Sequence, residues 1–142
     1  MIHTIDDSEL QTLVLMFLSE ADEFIEKIEF GLIALEENPS KRSIIDEVFR
    51  AAHSLKGSSM AVGLSEVGSF THELEALLLE VKISRTDISL EIIGILLKAS
   101  DHLKVMICEL KTNKNAKFDS KSLVEEIKIG RASCRERVYV LV

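Results

Sequence analysis

The sequence predicts an all-α fold: an up-and-down four-helix bundle with an additional short C-terminal helix. Three observations carry this. Apolar residues recur at spacings of three and four through four successive segments, the helical period. One proline and six glycines in 142 residues leave long stretches uninterrupted. The connections between segments are short, which favours antiparallel neighbours, and no strand-like alternation competes.

In the first segment Leu10, Leu13, Phe17, Ala21, Phe24, Ile28 and Leu35 share a stripe. Asp6, Asp7 or Ser8 caps its start, and Asn38-Pro39 ends it. In the second, Ile45, Val48, Ala52, Leu55, Ser59 and Val62 keep the spacing, with Ser43 as the expected cap and Gly63 as the stop. The third runs through Val67, Phe70, Leu74, Leu77 and Val81 and ends before Ser84-Arg85-Thr86. The fourth carries Ile92, Leu96, Ala99, Leu103, Met106 and Leu110 behind a cap at Thr86 or Asp87. A polar loop, Thr112–Lys117, leads to a shorter helix, Ser120–Lys128, with Leu123, Val124 and Ile127.

Residues 129–142 break the pattern. Ile129-Gly-Arg-Ala-Ser-Cys-Arg-Glu-Arg-Val138 is arginine-rich, shows no apolar period, and reads as the translation of a common short-read sequencing adapter. The expected layout is therefore one domain over residues 1–128 and a non-native tail over 129–142, with the natural chain continuing differently.

Composition narrows the function. A hydrophobic content of 46% excludes general disorder, and the length suits one domain with a real core. A net charge of −7 argues against nucleic acid and against an anionic membrane surface. The start, Met1-Ile-His-Thr-Ile-Asp-Asp, lacks the basic region of an export signal. The longest apolar runs fall far short of the roughly 20 residues that span a bilayer, so no membrane insertion is expected. Cys108 and Cys134 form neither a disulfide framework nor a zinc pattern. A reducing cytoplasm is the simplest compartment.

His53 is the most informative residue. It lies in Phe49-Arg-Ala-Ala-His-Ser-Leu-Lys-Gly-Ser58, with Lys56 and Gly57 three and four positions on, hence on the same helix face. Helical side chains lean toward the N-terminus, so the residue at i+4 shades residue i. A glycine there leaves the imidazole reachable, although mid-helix glycine costs about 1 kcal/mol relative to alanine. His53 is offset by one from the buried series through Ala52, which places it at the edge of the core stripe beside Phe49 and Met60. His72 and Glu75 are offset likewise from Phe70 and Leu74 and can meet His53 if the second and third helices pack antiparallel through Gly63. Gly68, four before His72, lets the two helices approach.

The stretch FRAAHSLKGSS resembles the phosphorylation motif of histidine phosphotransfer (HPt) domains, most of all the N-terminal domain of CheA-type chemotaxis histidine kinases. Thr71-His-Glu-Leu-Glu75 is similar to the partner helix of that family, and the resemblance covers roughly residues 8 to 128. It implies an HPt-like bundle in which His53 accepts a phosphoryl group from an ATP-dependent kinase catalytic domain. The group then passes to an aspartate of a response-regulator receiver domain. It implies further that Glu75 fixes the tautomer of His53, that Lys56 lies near the phosphoryl oxygens, and that His72 supports the network. The domain itself then needs no cofactor: ATP and Mg²⁺ belong to the partners, and the parent protein is a histidine kinase whose other domains are elsewhere.

Other readings stand beside this one. Lys56 suits a solvated surface lysine as well, and Arg50 suits either a phosphate contact or a surface ion pair. His3 and His102 have no partner pattern. A carboxylate-bridged metal site would need a Glu-x-x-His pair on each of two helices; the chain has the reverse order once, at His72 and Glu75, so no metal is expected. No phosphate-binding glycine loop is present. The alternatives in function are a free-standing or hybrid-kinase HPt protein of another phosphorelay, and, from a different class, a non-catalytic helical adaptor.

Overall fold

The computed structural model describes residues 6–84 and 86–140, with side chains as far as residue 136; His3 and Arg85 lie outside the described residues. The helices are α1 (Asp7–Glu37), α2 (Arg42–Ala61), α3 (Ser65–Ile83), α4 (Leu90–Thr112) and α5 (Lys121–Val140). No described helix is long and apolar enough to cross a membrane. α1 packs against α2 and α4, and α2 packs against α3. α3 and α4 touch sparsely, and α5 fills the trough between them.

The predicted stripes supply the core. Ile28 and Leu35 of α1, Val48, Ala52 and Leu55 of α2, Leu74 and Leu77 of α3, and Leu96, Ala99 and Leu103 of α4 are all fully buried. The upper end of α1 departs from expectation: Leu10 and Leu13 are 41% and 39% exposed. α1 has 31 residues against 20 in α2, so its first turns outrun their neighbours.

The helix starts separate what a stripe can show from what it cannot. Asp6 caps α1, its side chain accepting from the Glu9 N–H at 2.8 Å. α4 is capped by Ser89, which accepts from the Ile92 N–H at 3.2 Å, and not by Thr86 or Asp87. Those residues lie in the incoming strap, where the Ile88 N–H reaches the Pro39 carbonyl at 3.4 Å. α2 begins one residue before the expected Ser43 cap, and the side chain of Lys41 at its start makes no capping bond. Instead the Arg42 guanidinium donates to the carbonyls of Val81 (3.2 Å), Ser84 (2.5 Å) and Thr86 (3.3 Å), tying the start of α2 to the end of α3.

α5 is also longer than expected. It runs on past Lys128 to Val140, because Gly130 and Cys134 continue the buried line begun by Ile127. A Cβ on Gly130 would lie 3.2 Å from Ile92, 3.3 Å from Ile95 and 3.6 Å from Leu77. Arg131 and Arg135 meet Glu73 (3.7 Å) and Glu80 (2.8 Å) on α3. The apolar period is thus carried by small residues, which a search for large side chains passes over.

Two glycines set the helix spacing. A Cβ on Gly31 of α1 would collide with a methyl of buried Val48 on α2. One on Gly68 of α3 would collide with the Met60 thioether and come within 3.2 Å of the Ser59 hydroxyl on α2. Around Gly94 nothing lies within 4 Å. Valine is stiff in a helix and has no rotamer to yield into. Gly31→Ala is therefore expected to destabilise the fold by about 1–3 kcal/mol, whereas Gly94→Ala should stabilise it by up to about 1 kcal/mol. Urea unfolding of the two variants beside wild type checks the opposite signs.

Candidate functional site

The α2–α3 turn builds the site. Gly63 takes a φ of +81°, a left-handed conformation that glycine adopts without steric cost. The Leu64 N–H closes the turn on the Ser59 carbonyl at 2.9 Å. With Gly68 bare, the two helices run back to back closely enough for short side chains to bridge them.

Across this seam His53 of α2 meets Glu75 of α3. The Nδ1 atom lies 3.2 Å from Oε2 of Glu75, and the imidazole side chain is 64% exposed. In the tautomer that protonates Nδ1, that N–H donates to the carboxylate and Nε2 keeps its lone pair. Nε2 makes no hydrogen bond among the described residues. Lys56 lies on the same carboxylate, its Nζ 2.9 Å from Oε2 and 3.1 Å from Oε1. One glutamate thus serves two donors. Burial pushes the Glu75 carboxyl up, but hydrogen bonds from Lys56 and His53, and then their charges, outweigh it and hold the group below its ordinary value.

Gly57 has nothing within 4 Å of the position a Cβ would take. Solvent, not packing, fills the space beside it. On the other flank Phe49, one turn before His53, lies nearly parallel to the imidazole, with centroids 6.4 Å apart and an interplanar angle of 13°. Lys82 of α3 sits over the Phe49 ring at 4.9 Å and pairs with Asp46 at 3.6 Å. Lys82 escaped the sequence reading, although it follows Glu75 by seven residues, two helical turns along one face.

The structure brings together His53, Glu75, Lys56 and Gly57. It does not bring in His72, which is exposed and forms no hydrogen bond among the described residues: it lies a full turn before Glu75, and both oxygens of that carboxylate are engaged by α2. Arg50 is exposed and has no ion pair among the described residues. His102 has a structural place, its Nε2 2.7 Å from the Ser120 hydroxyl and its ring edge-on to Phe70 at 4.8 Å.

Fold and site define a helical bundle that presents one oriented, reachable imidazole. Residues 12–112 match the Hpt domain family, and the chain belongs to that family. It is 34% identical over 101 residues to the chemotaxis protein CheA of Treponema pallidum, a match covering 71% of this chain and 12% of that protein. It is 28% identical over 112 residues to CheA of Listeria monocytogenes, covering 79% and 18%. The chain thus spans less than a fifth of the length of these curated relatives. Among solved structures it is similar to the phosphorylated P1 domain of CheA3 from R. sphaeroides, determined in complex with CheY6. That match has a TM-score of 0.78 and 28% identity, and covers 87% of this chain and 98% of that one. The CheA phosphotransferase domain of Thermotoga maritima matches with a TM-score of 0.65 and 28% identity, over 71% and 95%.

Two expectations follow from the geometry. Gly57→Ala fills only solvent and should stabilise the helix by up to about 1 kcal/mol. Gly57→Leu should keep the fold while covering His53, which diethyl pyrocarbonate modification of the imidazole would register as a slowed rate.

Because the Glu75 carboxyl is held low in the folded state, its contribution to stability is complete above the unfolded group's ordinary value. It is lost as pH falls through the lowered one. Glu75→Gln should therefore cost about 1–2 kcal/mol at neutral pH, and the gap to wild type should close in acid. Thermal unfolding over a pH series checks this; a gap that stayed constant into acid would remove the carboxylate from the network.

Proposed function

We propose that this chain is the phosphotransfer domain of a chemotaxis-type signalling kinase and acts in the cytoplasm, with His53 as the phosphoryl acceptor. The observation that carries the reading is the His53–Glu75 pair: an exposed imidazole whose Nδ1 is held by a carboxylate, leaving Nε2 as the nucleophile. The motif around His53 and membership of the Hpt family support the same reading.

In the proposed reaction the Nε2 lone pair attacks the γ-phosphorus of ATP bound with Mg²⁺ in a separate kinase catalytic domain. The N–P bond forms as the bond to the bridging oxygen breaks, and ADP departs with that electron pair. The Nδ1 proton stays where it is, and the Glu75 carboxylate offsets the positive charge that develops on the ring, as an orienting carboxylate does in a catalytic triad. A receiver aspartate then attacks the phosphorus, the N–P bond breaks, and the imidazole recovers its lone pair. Lys56 is placed to leave Glu75 for the incoming phosphoryl oxygens as a point charge. Transition-state stabilisation falls mostly to the partners. The domain contributes position and access, which is why so few polar side chains are committed to the site.

Both partners must reach the same ring. A groove of about 730 Å³ between α1 and α2 has Phe24, Phe30, Ile44, Arg50 and Ser54 among its lining residues, and we propose it as part of their docking face because Ser54 adjoins His53 in the chain. We further propose that residues 129–142 are non-native, on the strength of their match to adapter sequence; an uninterrupted native reading frame at the locus would refute it.

His53→Gln is expected to abolish phosphate acceptance without loss of helicity, since the ring is 64% exposed and meets Glu75 and the Phe49 face at the helix edge rather than in the core. The measurement is acid-labile protein phosphate after incubation with a CheA-type kinase core, ATP and Mg²⁺. Labelling of the variant at the wild-type level would move the site elsewhere.

A further inference from the structure

The hydrogen bond to Glu75 does not by itself aim His53. It selects the protonated nitrogen and sets where Nδ1 lies. The Nε2 lone pair lies in the plane of the ring, so its direction turns with that plane. The second side-chain torsion of histidine is intrinsically soft, and at 64% exposure the core does not restrain it. Attack on phosphorus needs the lone pair aligned with the reacting bond. The plane must therefore be held from the surface.

Phe49 is placed to hold it. Its ring lies nearly parallel to the imidazole, at 13° and with 6.4 Å between centroids, within the range in which offset rings attract. Phe49 is half-buried and packs against the core, so its own ring is anchored where the imidazole is not. Lys82 of α3 covers the Phe49 ring at 4.9 Å, a cation–π distance, and Lys82 in turn pairs with Asp46 at 3.6 Å.

The register of the seam puts Lys82 there. Asp46 meets Lys82, His53 meets Glu75, and Met60 faces Gly68, each contact two helical turns from the next on both helices. The close approach that brings a carboxylate to the imidazole thus brings a cation to the phenyl ring beside it.

We propose that Phe49 is a positioning residue for phosphoryl transfer, setting the plane of the His53 ring, and that Lys82 fixes Phe49. The proposal rests on the reading of His53 as the acceptor and deepens it: Glu75 selects the nitrogen, and Phe49 aims it.

Three variants test it. Phe49→Leu keeps the apolar bulk and removes the flat face. Lys82→Met keeps the stem and removes the cation, and Lys82→Arg returns a cation that stacks on aromatic rings. Ring order is read from ¹³C relaxation of the His53 imidazole. Initial rates of phosphorylation by a CheA-type kinase core with ATP and Mg²⁺, at rising domain concentration, separate kcat from KM. Phe49→Leu should loosen the ring and lower kcat about tenfold at unchanged KM, with Nδ1 still protonated. Lys82→Met should show a smaller loss in both readouts, and Lys82→Arg should recover them. The Lys82 pair is solvent-exposed on both sides, so its variants should fold and carry the test even if Phe49→Leu does not.

Wild-type ring order and kcat in Phe49→Leu and Lys82→Met would overturn the proposal. A loss confined to KM would overturn it too, making Phe49 a docking contact, and Lys82→Arg as impaired as Lys82→Met would remove the cation's part. Failure of the acceptor reading is separate: it would appear as labelling that persists in His53→Gln, whereas the ring-order measurement reads the Phe49 contact without any phosphotransfer.

Discussion

The close approach of α2 and α3 is the constraint on which the rest depends. His53 and Glu75 are 22 positions apart in sequence and 3.2 Å apart at their bonded atoms. Neither side chain is long, so the backbones must do the approaching. Gly63 reverses the chain with a left-handed φ, and Gly68 removes the side chain that would hold the helices apart. At the other end of the pair, Arg42 ties the start of α2 to the carbonyls that finish α3. Turn, bare glycine and arginine clasp each fix one point of the seam, and together they set the register in which carboxylate and imidazole coincide.

Within that seam a single carboxylate holds the charge balance. Lys56 and His53 both draw on Glu75, and their combined pull exceeds the cost of partly burying it. The arrangement suits the phosphoryl acceptor proposed above, which needs a free lone pair on Nε2. In that proposal the carboxylate selects the tautomer protonated at Nδ1, and the lysine offsets the carboxylate's own charge. A chain of net charge −7 thus keeps a locally balanced site on an acidic body.

Much of this was legible in the residues, and the boundary of legibility is physical. The stripes through Leu55, Leu74 and Leu96 announced the helices because burial of large side chains follows the helical period. His53 and Gly57 were legible from their i, i+4 spacing on one helix, and Glu75 from the resemblance of Thr71–Glu75 to the HPt partner helix together with its place at the edge of the third stripe. Helix starts were less so. Whether Ser89 or Asp87 caps α4 depends on where the strap from Ser84 is pinned, a tertiary matter. The Lys56–Glu75 bond was hidden for the same reason, since a lysine's partner is chosen by three dimensions. The line through Gly130 and Cys134 was missed because its members are small, and smallness looks like absence of pattern.

That same line shows how the bundle is closed. The trough between α3 and α4 is lined by Ile92, Ile95 and Leu77 and receives a glycine flush against their methyl groups. A Cβ at that point would lie 3.2 Å from Ile92 and 3.3 Å from Ile95, so the entering helix is keyed by the lack of a side chain at one position and by a small buried residue one turn later. Its flank is free to carry charge, and Arg131 and Arg135 use it to pair with α3. The closing layer is thus locked by smallness at its centre and by ion pairs at its margin, the reverse of a helix that seals a core with bulk.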